Sequence, residues 1–231
     1  MTKKSYAIHI TRDMRGHFAP VQMTLTKGQI TCLVGESGCG KTTLLRLLTG
    51  LDSSESRLDF KASDVAYMRQ LPNLLPWLNV LDNMCLAQKL NPKSPCQLQE
   101  ARALLVRVKL AHIADSYPKN LSVGMQQRVC LLRTFLQKKS IVLLDEPFSA
   151  LDHDTRLDLQ TLLVELAQES AVLLVTHDWL DVMRLAQKVY SIQGYPATIH
   201  ALPMALPDSK LPRAIDYDHL SSIFSKGAAS C

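Results

Sequence analysis

The first residues whose types and spacing point to chemistry are Gly35-Glu-Ser-Gly-Cys-Gly-Lys-Thr42, which fit G-x-x-x-x-G-K-[ST] at every fixed position. A loop of this composition turns successive backbone N–H groups toward a phosphate, and glycine lets the phosphate approach the main chain closely. A helix starting at its end adds the positive pole of its dipole. Gly35, Glu36, Ser37, Gly38, Cys39 and Gly40 would form the cradle, with Thr43 in the helix behind it. Lys41 would reach the β- and γ-phosphates, and the Thr42 hydroxyl would ligate Mg²⁺. Chance would align the four fixed positions in a chain of this length on the order of one time in a hundred. Cys39 places a thiol inside the loop, beside a helix N-terminus.

A second group is Ile141-Val-Leu-Leu-Asp-Glu-Pro147, four apolar residues followed by two carboxylates. A parallel strand ends beside the ligand crevice of an open α/β sheet. Asp145 there can hold the Mg²⁺ shell, and Glu146 can act as general base toward an attacking water. Alone, such a pair is often only a solvated turn; the phosphate loop makes it a site. His177 follows the apolar run 171–175 and so lies at another strand end on that edge, whereas His9, His17, His112, His153, His200 and His219 read as surface or packing groups. Gln70 follows a short strand at 65–68 and can touch Mg²⁺ or the attacking water through its amide.

These residues need a parallel sheet to bring them together. Residues 5–10 and 21–26 alternate with period two, which predicts half-buried antiparallel strands. The apolar runs 30–34, 141–144 and 171–175 predict strands buried on both faces, and 65–68 predicts another short strand. Helices are predicted from residue 43 to 48 with Gly50 closing the turn, over 97–110 within a helical stretch of about 76–139, and over about 155–168. After Gly194, four prolines predict a loop with one short helix at 216–224.

Composition excludes several classes. The 231 residues are 47% hydrophobic and 20% charged, which is globular rather than disordered. No apolar run nears the roughly 18 residues that a membrane span requires, and the basic N-terminus lacks the apolar stretch of a secretory signal. The six cysteines form no C-x-x-C pair and no zinc spacing, so reduced thiols are expected. The net charge of +5 is scattered rather than blocked, which argues against a nucleic-acid partner.

With these motifs in place, the chain resembles the ATP-binding cassette (ABC) family of transport ATPases over about residues 5–195. The 35–42 loop is similar to its Walker A segment and 141–146 to its Walker B. Leu121-Ser-Val-Gly-Met-Gln-Gln-Arg128 resembles the family signature, Gln70 the Q-loop, Ser149-Ala-Leu-Asp152 the D-loop and His177 the switch histidine. The resemblance implies an α/β P-loop cassette of three parts. These are a RecA-like core with an antiparallel β-subdomain (about 1–71 and 141–195), a helical subdomain (about 72–140) and a C-terminal tail (196–231). It implies ATP and Mg²⁺ as cofactors and a head-to-tail dimer with a second ATPase subunit, a homodimer in the simplest form. In that dimer Ser122, the Gly124 N–H and the N-terminus of a helix from about Met125 face the γ-phosphate of the partner's ATP.

The sequence departs from the pattern at two signature positions. Val123 stands where a glycine is usual, which would be costly at positive φ but ordinary in helical space. Met125 stands where glutamine is usual. The adenine-stacking aromatic has no single counterpart: the expected place holds Arg12, and Tyr6, His17 and Phe18 are candidates, each of which also reads as strand packing.

Residues 74–83, Leu74-Leu-Pro-Trp-Leu-Asn-Val-Leu-Asp-Asn83, look like the Q-loop exit of bacterial importers for nitrate, sulfonates and taurine. This implies an importer ATPase at the cytoplasmic face of the inner membrane. It would be held peripherally to a permease through residues 70–83 and work with a solute-binding protein. Trp77 either docks that permease or packs the helical subdomain. A non-transport ABC ATPase and a weakly active cassette in a heterodimer are the competing readings. The chain is expected to end with the cassette, without a regulatory domain.

Overall fold

The computed structural model describes residues 3–13, 16–50, 54–90 and 98–202. The alternating segments form a small antiparallel sheet. β1 (Ser5–Asp13) pairs with β2 (Val21–Thr26) in a register running from Ser5↔Thr26 to Ile10↔Val21. The inward set is Tyr6, Ile8, Ile10, Val21, Met23 and Leu25, as period two requires. β3 (Gln29–Val34) leads into the phosphate loop, and the helix behind that loop, α1 (Lys41–Leu48), starts two residues earlier than its apolar pattern indicated. β4 (Ser54–Leu58) joins the other edge of β1, with a register shift between Ile10 and Arg12. It carries no apolar alternation and is a strand because β1 offers it an edge.

The larger sheet adds β5 (Val65–Met68), β6 (Ile141–Asp145), β7 (Ala171–Val175), β8 (Lys188–Gln193) and β9 (Thr198–Leu202), in the order β5-β6-β7-β3-β8-β9. All neighbours are parallel except β8 and β9. β9 corrects the loop expected after Gly194: the chain turns there, at φ 79°, and pairs back on β8. The helix expected at 216–224 lies outside the described residues.

Between β5 and β6 lie α2 (Val80–Met84), α3 (Leu86–Leu90), α4 (Leu98–Arg107) and α5 (Val123–Leu136); α6 (His153–Leu166) and α7 (Trp179–Leu185) flank β7. The expected helix 97–110 ends early because Lys109 takes a left-handed φ of 59°. α5 and α6 start two residues before their expected positions because side chains cap them. Ser122 accepts the Met125 N–H, and Asp152 accepts the Thr155 N–H.

Strand alternation sorts the core onto two faces of the large sheet. Cys32, Val34, Val142, Leu144, Val172 and Leu174 pack toward the helical side. Leu33, Ile141, Leu143, Leu173 and Val175 pack toward α1 and the small sheet. With both faces covered, β6 and β7 are buried at every residue. Their C-terminal ends, with those of β3 and β5, lie along one edge, from which the segments carrying residues 35–43, Gln70, Asp145, Glu146 and His177 emerge.

Candidate active site

A cavity of about 520 Å³ opens at this edge. It is lined by Ser37, Gly38, Gly40, Lys41, Thr42 and Thr43 from the loop and α1, by Gln70 after β5, by Asp145 and Glu146 after β6, and by His177 after β7. Gly35 begins the loop against β8: a Cβ there would stand 2.5 Å from the Ile192 carbonyl oxygen, so no larger residue fits. Lys41 Nζ donates to the carbonyls of Gly35 at 2.8 Å and Glu36 at 2.6 Å, and Cys39 Sγ lies 3.9 Å from it. The ammonium is therefore held at the loop, where a phosphate would draw on it.

Thr42 Oγ1 donates to Asp145 Oδ2 at 2.8 Å, and the Tyr67 hydroxyl reaches the same oxygen at 3.4 Å. Asp145 is 1% exposed. Burial pushes its carboxyl above the ordinary range, against the hydrogen bonds from Thr42 and Tyr67 and the nearby Lys41 charge. Burial, and after it the Asp145 charge, pushes the Tyr67 phenol up to about 12. Thr42 and Asp145 thus offer two adjacent hard oxygens, one of them a desolvated carboxylate that a cation would stabilise. Among the described residues no group of three or more His, Cys, Asp or Glu forms a metal cage. A cation held by these two residues would take its other ligands from phosphates and water, and that pattern suits Mg²⁺.

Glu146 takes a left-handed φ of 50°, an uncommon conformation for a residue with a side chain. Its N–H donates to the Val175 carbonyl at 3.0 Å, and its Oε1 lies 2.8 Å from His177 Nδ1. Buried side chains hold the loop that carries His177. Asp181, 2% exposed, accepts from Thr176 Oγ1 at 2.8 Å, Gln160 Nε2 at 2.6 Å and Arg156 Nε at 2.8 Å. Arg156 also pairs with Asp178 at 2.6 Å. His177 therefore stands between two anchored neighbours.

Other predicted residues lie elsewhere. Ser122 and Gly124 are in the first turn of α5 and do not line the cavity. Tyr6 is 4% exposed and packs edge-on against Phe60, so its ring is committed to the small sheet and cannot stack on a base. Phe18 is buried at 6%, its ring 3.3 Å from where a Gly40 Cβ would stand. His17 packs edge-on against Tyr195. The Arg12 side chain lies outside the described residues. Tyr67, Gln127, Arg156 and Asp181 were not found from sequence. A single Asp or Gln in a helix carries no sign of what it meets across the fold; only Thr176-His177-Asp178, ending a buried run, marked the neighbourhood.

The comparisons with known proteins agree with this geometry. Residues 18–149 match the family model described as ABC transporter. The chain is 42% identical to the aliphatic sulfonates import ATP-binding protein SsuB 1 of Xanthomonas axonopodis pv. citri, over 81% of this chain and 79% of that one. It is 39% identical to the SsuB protein of Corynebacterium glutamicum, over 82% and 79% of the two chains. An uncharacterized ABC transporter ATP-binding protein of Haemophilus influenzae is 37% identical, over 88% and 87%. A solved ATP-binding subunit of an ABC transporter superposes with a TM-score of 0.74 at 21% identity, over 81% of this chain and 85% of that one, and so shows the same fold. The phosphate loop, the acidic strand end and the relatives converge, and the chain belongs to the ABC transporter family as an ATP-binding domain with ATPase activity.

Proposed function

We propose that this chain is the ATPase subunit of a bacterial importer for a small solute of the nitrate, sulfonate and taurine kind. A separate membrane permease and a solute-binding protein would complete the system. The curated relatives at about 40% identity support the importer reading through their names. The observation that carries the catalytic reading is the Glu146–His177 pair at 2.8 Å beside the phosphate loop.

In this reading Thr42 and Asp145, with Gln70 lining the same cavity, would hold Mg²⁺, which would supply charge neutralisation at the phosphates. The 35–43 loop and Lys41 bind and orient the triphosphate. Glu146 accepts the proton of the attacking water as the water oxygen bonds to the γ-phosphorus. The bond from that phosphorus to the bridging oxygen breaks, and its electron pair leaves on ADP. With Nδ1 protonated, His177 donates to Glu146 and holds the carboxylate toward the water. Ser122 and the Gly124 N–H lie outside their own cavity, and a head-to-tail second cassette would bring them to the partner's γ-phosphate.

The permease contact falls in residues 70–83. Leu71 is 77% exposed and Trp77 69% exposed, so Trp77 is not packed inside the helical layer. Beneath them Asn83, fully buried, accepts the Leu75 N–H at 2.7 Å and donates to the carbonyls of Leu75, Leu78 and Asn79 at 3.0–3.1 Å. The loop is braced by Asn83 and presents exposed apolar side chains, the form a partner groove accepts. No helix among the described residues is long and apolar enough to cross a membrane. The attachment proposed is peripheral, through the permease, at the cytoplasmic face of the inner membrane. The subdomain boundaries proposed are about residues 72 and 140.

The test is Glu146→Gln. The variant is expected to bind ATP as the parent does and to lose turnover, read by nucleotide titration and phosphate release. Undiminished hydrolysis would remove Glu146 from the base role.

A further inference from the structure

We propose that Gln127 is a positioning residue for Glu146, and that the first turn of α5 latches the loop of residues 146–151 within the same chain; this rests on the reading of Glu146 as the base. Glu146 is held at a φ of 50°, which its own residue type does not favour, so its surroundings must impose it. On the N–H side the partner is Val175. On the carbonyl side the partners are Gln127 Nε2 at 2.9 Å, Ser149 Oγ at 3.1 Å and the Ser149 N–H at 3.3 Å.

Gln127 is 1% exposed and comes from the helical layer between β5 and β6. Its amide is committed to one loop. Nε2 donates to the Glu146 carbonyl and, at 3.2 Å, to Ser149 Oγ, while Oε1 accepts the Ala150 N–H at 3.1 Å. One turn earlier on the same helix face, Gly124 lets that loop come close. A Cβ on Gly124 would stand 2.9 Å from the Ala150 carbonyl oxygen and 3.3 Å from Leu151. A missing side chain and a fully used amide, three residues apart, thus dock α5 on the backbone that carries the base. Gln127 does not line the cavity, so it acts through Glu146. A shift of α5 moves the Glu146 carbonyl, and with it the carboxylate that meets His177.

The experiment uses the full chain with Gln127→Met, which keeps length and apolar volume but removes the donors and the acceptor. Steady-state ATPase is measured across MgATP concentrations, with nucleotide titration and thermal unfolding alongside. The expected result is a kcat lower by about 10²-fold, the scale of a small misplacement of a catalytic group, with KM and nucleotide affinity close to the parent. In a Glu146→Gln background the same change is expected to cause no further loss, since both act through one group. A folded Gln127→Met chain with parental kcat overturns the latch, as does a loss that stays fully additive with Glu146→Gln. If Gln127→Met does not fold, Gln127→Glu replaces it. It keeps the acceptor for Ala150, cannot donate to Glu146, and must also lose kcat at unchanged KM, or the latch is overturned. The two readings fail differently. Full turnover in Glu146→Gln overturns the base and the latch together, whereas an inactive Glu146→Gln with a fully active Gln127→Met overturns the latch alone.

Discussion

Val123 is the residue at which the sequence departs most from the family signature, and its backbone resolves the question of cost. It is the first residue of α5, 57% exposed, and it is not among the residues of positive φ. A glycine there would relieve no strain and would add unfolded-state entropy. Val123→Gly is therefore expected to lower stability, by up to about 1 kcal/mol in denaturant unfolding. A gain would show that this turn does need glycine. Lys41 is the opposite case, a residue whose type alone names its task. With its ammonium on the Gly35 and Glu36 carbonyls, Lys41 holds a charge at the loop that is proposed to meet the phosphates, and Lys41→Ala removes it. Titration is expected to show a loss of about 2 kcal/mol in nucleotide binding, roughly thirtyfold. Unchanged affinity would place the triphosphate elsewhere.

At the scale of elements, the caps decide where the functional helices begin, and so what their first turns can reach. Asp152 caps α6 through the Thr155 N–H at 3.0 Å, and hydrogen bonds from Thr155 hold its carboxyl below the ordinary range. A lowered carboxyl contributes stability that is present above its unfolded value and is lost as pH falls through its folded value. Asparagine caps as well without the charge. The parent is thus expected to unfold at a higher temperature than Asp152→Asn at neutral pH, with the gap closing in acid. A gap that ignores pH would mean that the carboxylate charge contributes nothing. One turn on, Arg156 ties α6 to Asp178 and Asp181, so this cap also sets the footing of the His177 loop. The helices' existence was legible, α6 from its place between two buried strands and α5 from the resemblance. Their first residues were not, because a cap is a hydrogen bond between a side chain and a backbone group whose position depends on the turn before it.

For the whole molecule, the cavity proposed for the nucleotide lies at one edge of the large sheet, while the loop after β5 exposes Leu71 and Trp77. The two tasks are therefore separable. Trp77→Asp is expected to leave the ATPase rate of the isolated chain unchanged and to abolish co-purification with a permease from membranes. Retained co-purification would move the docking surface away from residues 70–83. If the site is completed by a second cassette, the specific ATPase rate should also rise with protein concentration at saturating MgATP. A specific rate independent of concentration would show that one cassette suffices.

The sequence by itself determined the 35–42 loop, the acidic strand end, the place of His177 at a strand end and the strands of the parallel sheet. Each is encoded by residues close together in the chain, with a chemical reason for their spacing. It could not decide which aromatic is committed to packing, where β4 and β9 find their partners, or that Trp77 stands exposed, since those depend on edges and faces that exist only once the sheet is assembled. It also could not show that Gln127 and Glu146, nineteen residues apart, share a hydrogen bond of 2.9 Å. A glutamine amide has no preferred partner of its own. The packing of α5 on the end of β6 supplies one and shields it from water, and that contact fixes the backbone of the base.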